Sequence, residues 1–495
     1  MVGQWRDCVR DTIRFLLGDE ERAIRGLSPT RTVLEWLRGE ARACGTKEGC
    51  AEGDCGACTV VLGEPDGAGM RWQAVNACIL FLPALDGRQL LTVEHLRGPD
   101  GALHPVQQAM VAQHGSQCGF CTPGFVMSLF ALYHAGTAPD RRAANEALAG
   151  NLCRCTGYRP ILDAAREACT GVPADRFAAG AADIAGRLRA LASDEPLEIE
   201  AEEGRFLAPR TLEQLVAAVQ TYPDATILAG GTDVGLWVTK LHKALPTVIA
   251  VERVAEFAGI EERGGVLAIG AGATYEDALP AIERHWPDFA RMVRRIGSRQ
   301  IRNRGTVGGN VANASPIGDT PPALLALGAT LVLRAGAAQR RLPAEAFFLG
   351  YRKTAMAAGE FLEGIEIPLP VAGDRFAIYK VSKRFEQDIS AVCGAFHLRL
   401  RAGNVEEIRI GFGGMAAVPK RATATEALLT GRPWTRASIE TAMEVVESEF
   451  NPLTDMRASA DYRRLVAKNL LLRFWLETTE PSGTKVRLPE WEDAA

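Results

Sequence analysis

The sequence predicts a multidomain α+β protein, and three observations carry that reading. Its 495 residues exceed what one core fills, at roughly 150 residues per domain. Hydrophobic periodicity changes along the chain: short strands with one helix, then helices alone, then alternating strands and helices, and last strands followed by helices. Ten of the twelve cysteines precede position 156, which sets the first third apart chemically. Apolar residues make up 47 % and charged residues 23 %, enough for each part to bury a core. The net charge of −4 offers no basic nucleic-acid footprint, and no apolar run reaches the ~18 residues of a membrane span. "MVGQWRDCVRDTIRF" carries Asp7 and Asp11 without an apolar core or cleavage site, so no secretory signal is expected and the cytoplasm is the expected compartment.

The elements follow in order. "TIRFLL" reads as a strand, "SPTRTVLEWLRGE" as a helix capped at Ser28 with Val33, Leu34 and Leu37 on one face, and "CTVVL" as a further strand. Between about 101 and 168, "PVQQAMVAQHG", "PGFVMSLFALYHAG", "RRAANEALAGN" and "RPILDAAREAC" predict a four-helix unit. The Ala/Gly/Asp/Glu-rich stretch after it lacks sustained periodicity and reads as a linker. "TLEQLVAAVQTYP" is a helix, "ATILAGGTDVG" a strand entering a glycine turn and "LPTVIAV" a strand, opening a mixed α/β part. The last part has strands "RFAIYKVS", "ISAVCGAFHLRL" and "VEEIRIGFGG" before helices "RASIETAMEVVESEF" and "ADYRRLVAKNLLLRFWLE". The expected boundaries are 10–98, 99–170, a linker at 171–204, 205–371 and 372–481.

Cys50, Cys55 and Cys58 have the spacing C-x4-C-x2-C, with Cys78 further on. This is the plant-type [2Fe–2S] pattern. Four thiolates and two sulfides make an anionic site, and Gly49, Gly53 and Gly56 let peptide N–H groups point at the sulfurs. A zinc site of four cysteines is the alternative, although structural zinc usually pairs two short C-x2–4-C motifs. Cys44 breaks the spacing and is left out. A second set comprises Cys118 and Cys121 in "QCGFCTPG" and Cys153 and Cys155 in "NLCRCTGYRP". Its first pair precedes a helix opened by Pro123, and Gly157 with Pro160 is expected to terminate the C-x-C turn. Alone it could hold zinc; beside a ferredoxin-type loop, two clusters in series make an electron path. Cys169 and Cys393 read as buried small hydrophobes.

"GCAEGDCGAC", "QCGFCTPGF" and "GNLCRCTGYRPI" together resemble the iron–sulfur portion of the molybdenum hydroxylases, the family of xanthine dehydrogenase and aldehyde oxidase. The resemblance implies a β-grasp ferredoxin-like domain, a four-helix [2Fe–2S] domain, an α/β FAD-binding domain and an α+β C-terminal domain. Glycine turns follow many strands, so "LAGGTDVG" and "RNRGTVGGNVANASPIGDTPP" are weak signals alone. By resemblance, Ile227, Leu228, Ala229, Gly230, Gly231, Thr232, Asp233 and Val234, with Thr306, Val307, Gly308, Gly309 and Asn310, hold FAD. Asp319 is expected at the ribityl chain, and Leu362 and Lys380 complete the site. Ile296 stands where relatives often place an aromatic on the flavin ring. "FFLGYRKT" and "YKVSKRFEQDIS" also match, which makes Tyr351, Asp233 and Gln387 candidates beside a nicotinamide; a loop aromatic and a solvated charged loop are the bland readings.

The resemblance also implies an electron-transfer role. The 495 residues leave no room for a molybdopterin domain with its general base, so that cofactor is expected on a large partner subunit, in an (αβ)2 heterotetramer. Gln117 is expected to face the partner's pterin. Electrons from oxidation of hypoxanthine and xanthine to urate would pass through the 118/121/153/155 set, then the 50/55/58/78 set, to FAD and then NAD. An aldehyde or N-heterocycle dehydrogenase with the same layout, or a non-catalytic maturation protein, are the alternatives.

Overall fold

The computed structural model describes residues 9–480. The N-terminal signal reading, as far as it concerns residues 1–8, and position 481 of the last expected domain lie outside the described residues. The chain divides into two compact units, 9–255 with 297–305, and 256–296 with 306–480.

The first unit opens with β1 (Ile13–Leu17), β2 (Glu20–Ile24), α1 (Val33–Gly39), β3 (Thr59–Asp66), β4 (Gly69–Asn76) and β5 (Gln89–Leu91). The sheet order is β2-β1-β5-β3-β4, with β1 parallel to β5 and the other pairs antiparallel. One helix over a five-stranded mixed sheet is the β-grasp arrangement expected. Ile13 and Phe15 alternate inward with the strand period and meet Val33, Leu34 and Leu37 in one core. The α1 cap is Thr32, not Ser28: Thr32 Oγ1 accepts from the Glu35 N–H and the Glu35 side chain returns to the Thr32 N–H. The Thr-x-x-Glu capping box outweighs the earlier serine because it satisfies two orphan donors at once.

The four expected helices are α2 (Pro105–Ala112), α3 (Thr122–Tyr133), α4 (Arg141–Leu148) and α5 (Arg159–Ala168). They close on Val106, Met110, Phe125, Leu129, Phe130 and Ile161. Pro160 opens α5 rather than ending the C-x-C turn, since proline suits the first helical turn, where its missing N–H costs nothing. The expected linker contains α6 (Arg176–Leu191) and then β6 (Leu197–Ala201). Its alanines favour helix, and Phe177, Ala185, Leu188 and Leu191 bury a stripe too sparse to register as periodicity.

Asp175 caps α6 through Oδ1, which accepts from the Ala178 N–H at 2.8 Å. Its Oδ2 meets His104 Nε2 at 2.6 Å and His134 Nε2 at 3.0 Å. His104 Nδ1 accepts from the Val106 N–H, so its proton sits on Nε2 and is donated to Asp175. The three side chains are almost fully buried. Two ligands of one tetrahedral zinc stand about 3.3 Å apart for metal bonds of ~2.0 Å, and the 2.6 Å separation is a hydrogen bond instead. Burial opposes the Asp175 charge, but the donors from His104, His134 and Ala178 hold its carboxyl below the usual carboxylate range. A depressed carboxylate contributes stability above its unfolded value of about 3.9 and loses it as pH falls through the folded value. Asp175→Asn is therefore expected to cost about 1–3 kcal/mol at neutral pH and to flatten the stability loss below about pH 4, checked by denaturant titration at several pH values.

β7 (Gly204–Ala208), α7 (Leu212–Thr221), β8 (Thr226–Leu228), α8 (Val234–Thr239) and β9 (Thr247–Ala250) complete the unit. Their sheet has the order β6-β7-β9-β8, with β9 parallel to both neighbours. Phe206, Leu228 and Val248 share one core with Ile13 and Phe15 of the β-grasp sheet. That continuity places the opening of the expected 205–371 domain with the cysteine-bearing part of the chain.

The second unit holds a five-stranded antiparallel sheet in the order Ile260–Arg263, Val266–Gly270, Phe361–Pro368, Thr330–Ala335, Ala338–Pro343. A four-stranded antiparallel sheet follows: Arg375–Val381, Val392–Arg401, Asn404–Gly413, Lys420–Arg421. Helices Arg436–Glu449 and Ala460–Thr479 contribute Ile439, Ala442, Leu471 and Phe474 to the core on it, and Phe474 stacks on Phe396 at 5.2 Å. No described helix is long and apolar enough to cross a membrane.

Candidate functional site

The loop between α1 and β3 folds its backbone around its own sulfurs. Cys50 Sγ accepts from the N–H groups of Asp54 and Cys55 at 3.3 Å and of Glu52 at 3.4 Å, and Cys55 Sγ accepts from the Cys50 N–H at 3.3 Å. Gly56 makes this turn possible: its φ is +68°, and a Cβ there would lie 2.1 Å from the Gly150 carbonyl oxygen. Cys78 reaches the loop from beyond β4, contacting Cys50 and Cys58. Cys58 and Cys78 are buried, Cys50 and Cys55 half-buried. Hydrogen bonds from Cys55 and Cys78 hold the Cys50 thiol far below its ordinary value, and Cys58 is lowered chiefly by Cys78. Negative charge is thus favoured on Cys50 and Cys58, whereas the bond with Cys50 raises the Cys55 thiol and the bonds with Cys50 and Cys58 raise that of Cys78; thiolate ligation draws on the lowered pair first.

The second set is built from the start of α3 and the approach to α5. Cys121 caps α3, with a proline in the first turn. Cys118 contacts Cys155, and Cys121 contacts Cys153. Cys153 Sγ accepts from Thr156 Oγ1 at 3.2 Å and from the N–H groups of Cys155 and Thr156 at 3.4 Å. Burial works against its thiolate, yet these donors bring the thiol down to about 7. Burial and Cys153 push Cys121 up to about 12. Tyr158, at φ +68°, turns its hydroxyl back to accept from the Cys153 N–H at 3.0 Å, a left-handed conformation that only surrounding structure maintains.

Four sulfurs on one zinc at ~2.3 Å stand about 3.8 Å from each other. Among the described residues, the only three or more His, Cys, Asp or Glu ligand atoms mutually within 4.8 Å are those of His104, His134 and Asp175. Within the first quartet Cys50 contacts Cys55 and Cys78, and Cys78 also contacts Cys58; within the second, Cys118 contacts Cys155 and Cys121 contacts Cys153. Cys44 is exposed and bonded to the Arg38 carbonyl, whereas Cys169 and Cys393 are buried thiols raised by burial.

The two quartets are joined by backbone. Leu152, next to Cys153, donates its N–H to the Cys55 carbonyl at 2.9 Å. Beside this bond lies a buried polar hub that sequence reasoning missed. Asn151 Nδ2 donates to the Gly56 carbonyl at 3.0 Å, Ser128 Oγ donates to Asn151 Oδ1 at 2.6 Å, and Gln300 Nε2 donates to Ser128 and Asn151 at 3.1 Å. Three lone polar residues, 23 to 172 positions apart, carry no local signal of this kind. In the segments that carry the second quartet, Val111, Phe120, Leu152 and Tyr158 are exposed apolar residues, and Gln117, Arg154 and Arg159 are exposed as well.

The residues expected at flavin fall on both units, and each set stands in its own surroundings. In the first unit, Ile227 and Leu228 end β8, and the chain turns through Ala229, Gly230, Gly231, Thr232 and Asp233 into Val234 of α8. A Cβ on Gly230 would lie 1.6 Å from the Arg304 carbonyl oxygen, and one on Gly235 would lie 2.6 Å from the Ile79 carbonyl oxygen. The loop therefore packs backbone to backbone against the residue that follows Cys78. Asp233 accepts from Trp237 Nε1 at 2.9 Å.

In the second unit, Thr306 Oγ1 accepts from the Gly309 N–H, Val307 donates to the Ala273 carbonyl, and a Cβ on Gly308 would meet Ala271 at 2.4 Å. Asn310 Oδ1 is buried without a hydrogen-bond partner, an acceptor open to a ligand donor. Asp319 and Lys380 are brought together at 2.7 Å, and Ser390 also donates to Asp319. Lys380 donates further to the carbonyl of Arg295, the neighbour of half-buried Ile296. Leu362 is buried on the central strand. Tyr351 is exposed and Gln387 half-buried at φ +51°. The spaces beside Gly230 and Gly308 are filled by the Arg304 backbone and by Ala271, close packing that a residue without a side chain permits.

Comparison with known proteins agrees with this anatomy. The FAD binding domain in molybdopterin dehydrogenase matches residues 200–370, the CO dehydrogenase flavoprotein C-terminal domain 377–478, and a [2Fe-2S] binding domain 92–166. Xanthine dehydrogenase of Emericella nidulans is 33 % identical over 525 residues, covering 94 % of this chain and 38 % of its own length. Xanthine dehydrogenase/oxidase of Gallus gallus is 29 % identical, covering 94 % and 40 %. The chain thus spans 38–40 % of these curated relatives. A solved carbon monoxide dehydrogenase from Hydrogenophaga pseudoflava is 32 % identical with a TM-score of 0.52, covering 54 % of this chain and 94 % of that one. Quinoline 2-oxidoreductase from Pseudomonas putida 86 is 27 % identical with a TM-score of 0.50, covering 55 % and 94 %. On these grounds the chain belongs to the molybdenum hydroxylase family, of which it carries the iron–sulfur and FAD domains.

Proposed function

We propose that this chain is the electron-transfer subunit of a xanthine dehydrogenase, taking electrons from a molybdopterin-binding large subunit and delivering them to NAD. The observation that carries the reading is the Leu152 N–H to Cys55 carbonyl bond, which joins the two cysteine quartets through backbone. Two [2Fe–2S] clusters and FAD, when bound, supply one-electron transfer and its conversion to hydride transfer. Cys50, Cys55, Cys58 and Cys78 would hold one cluster, and Cys118, Cys121, Cys153 and Cys155 the other. The chain's part is to fix the sulfurs, aim peptide N–H groups at them and keep a short backbone route between the quartets.

Ile227 to Val234 in the first unit, and Thr306 to Asn310 in the second, would contribute to FAD binding. The Asp319–Lys380 pair would present a fixed donor and acceptor, and Ile296 would pack as an aliphatic. Tyr351, Asp233 and Gln387 would serve the nicotinamide. The exposed apolar residues Val111, Phe120, Leu152 and Tyr158, together with Gln117, would dock the large subunit, because an exposed apolar surface marks an interaction site. The 118/121/153/155 quartet would then receive electrons first. The purine substrate is inferred from the names of the relatives matched over most of this chain.

Two assays test the proposal. The purified chain alone is expected to reduce an artificial dye with NADH, and no reduction by flavin-loaded protein would favour a binding or maturation protein. Co-purification with its large subunit is expected to give xanthine-dependent NAD reduction, and activity on aldehydes alone would overturn the purine assignment.

A further inference from the structure

Asn76 ends β4 two positions before Cys78 and is 3 % exposed. Its Nδ2 donates to Cys58 Sγ at 3.8 Å, while its Oδ1 is buried without a hydrogen-bond partner. The flipped amide would set an oxygen against a thiolate sulfur, acceptor against acceptor, so the chemistry fixes the orientation. Gln300, 1 % exposed, shows the same asymmetry: Nε2 is bonded to Ser128 and Asn151, and Oε1 is buried and unpartnered. Both residues line one small cavity of about 10 Å³, together with Ile79, Gly230 and Thr232. That volume is at the size of a single water, which needs at least two polar partners. Two orphaned carbonyl oxygens would supply the acceptors for both hydrogens of such a water.

We propose that Asn76 sets the reduction potential of the 50/55/58/78 centre through its bond to Cys58, and that one water between Asn76 Oδ1 and Gln300 Oε1 extends this polar chain to the Gly230–Thr232 loop. The proposal rests on the assignment of an iron–sulfur centre to that quartet. An N–H donor to a ligating sulfur stabilises the more negative reduced form and raises the potential. Hydrogen bonding at the amide oxygen polarises the same amide and strengthens its N–H as a donor. Asn76 acts through Cys58 and is a positioning residue, with no contact to substrate required.

The test uses the cluster- and flavin-loaded chain in a redox titration followed by electron paramagnetic resonance. Asn76→Leu keeps the volume and removes the donor. It is expected to move one centre's one-electron equilibrium about tenfold toward the oxidised form, equivalent to 59 mV, with the other centre and FAD content unchanged. Gln300→Met is expected to move the same centre in the same direction by a smaller factor. Pulsed resonance on unaltered protein carrying 15N in asparagine side-chain amides is expected to show a nitrogen coupling to that centre. An unmoved potential in Asn76→Leu, or no such coupling in the labelled protein, overturns the role of Asn76; if the variant does not fold, the labelled protein decides alone. An unmoved potential in Gln300→Met overturns the water bridge. Loss of every iron–sulfur signal in the native protein would instead defeat the underlying assignment.

Discussion

Gly230→Ala is expected to destabilise the first unit by about 3 kcal/mol or more, a loss in the range reserved for packing failures, and to abolish flavin retention. The added Cβ would stand 1.6 Å from the Arg304 carbonyl oxygen, 2.2 Å from its carbon and 2.9 Å from the Gly305 nitrogen. All three atoms are backbone, so no side-chain rotation relieves the contact. Arg304 is held in place: its guanidinium pairs with Glu252, and its N–H and that of Gly305 donate to the Ile301 carbonyl. Relief must come from the β8–α8 loop moving outward, which breaks its packing on Ile79. Gly180→Ala is the matched control. Gly180 lies inside α6 with nothing within 4 Å of the new Cβ, so the change is expected to be neutral or stabilising by roughly 0.5–1 kcal/mol. Denaturant unfolding and the flavin absorbance of purified protein read both effects.

Cys155→Ser is expected to remove one of two iron centres and stop substrate-driven NAD reduction while FAD stays bound. A hydroxyl replaces a thiolate that soft iron prefers, at an exposed position. Loss of an outer hydrogen-bond partner at a metal site costs 10–100-fold in affinity or activity; loss of a ligand is expected to exceed about 100-fold. Iron should fall from about four atoms per chain to about two. The glycine loop after β8 contains none of the changed atoms, so flavin content should hold. Cys44→Ser, removing an exposed thiol outside both quartets, should leave iron, flavin and turnover unchanged. Normal turnover in Cys155→Ser would remove this quartet from the electron path.

Much of this anatomy was legible because it is local. The C-x4-C-x2-C loop announces a chain wrapping its own sulfurs, and the N–H groups of Glu52, Asp54 and Cys55 converge on Cys50 within five residues. Cys78 is distant in sequence, yet cysteine is rare enough that its place was readable. What escaped was long-range or sparse. Gln300 meets Ser128 and Asn151 across more than 140 positions, and a lone glutamine beside an arginine-rich turn gives no hint of that partnership. The helix Arg176–Leu191 was missed because alanine and glycine dilute its apolar stripe below what periodicity detects. Thr32 displaced Ser28 as a cap because the decisive signal was the glutamate three residues later, not the first available hydroxyl. The residues proposed for flavin rest on resemblance, since glycine turns after strands are common and Asp319 and Lys380, which the fold brings together, are 61 positions apart.

The central claim is that eight cysteines of this chain hold two separate binuclear iron centres. The measurement that meets it most directly is electron paramagnetic resonance of the reduced chain, with iron and zinc determined on the same sample. Two distinct [2Fe–2S] signals, integrating to about two spins per chain with about four irons, are the predicted result. One signal or none, with stoichiometric zinc in place of iron, would contradict it.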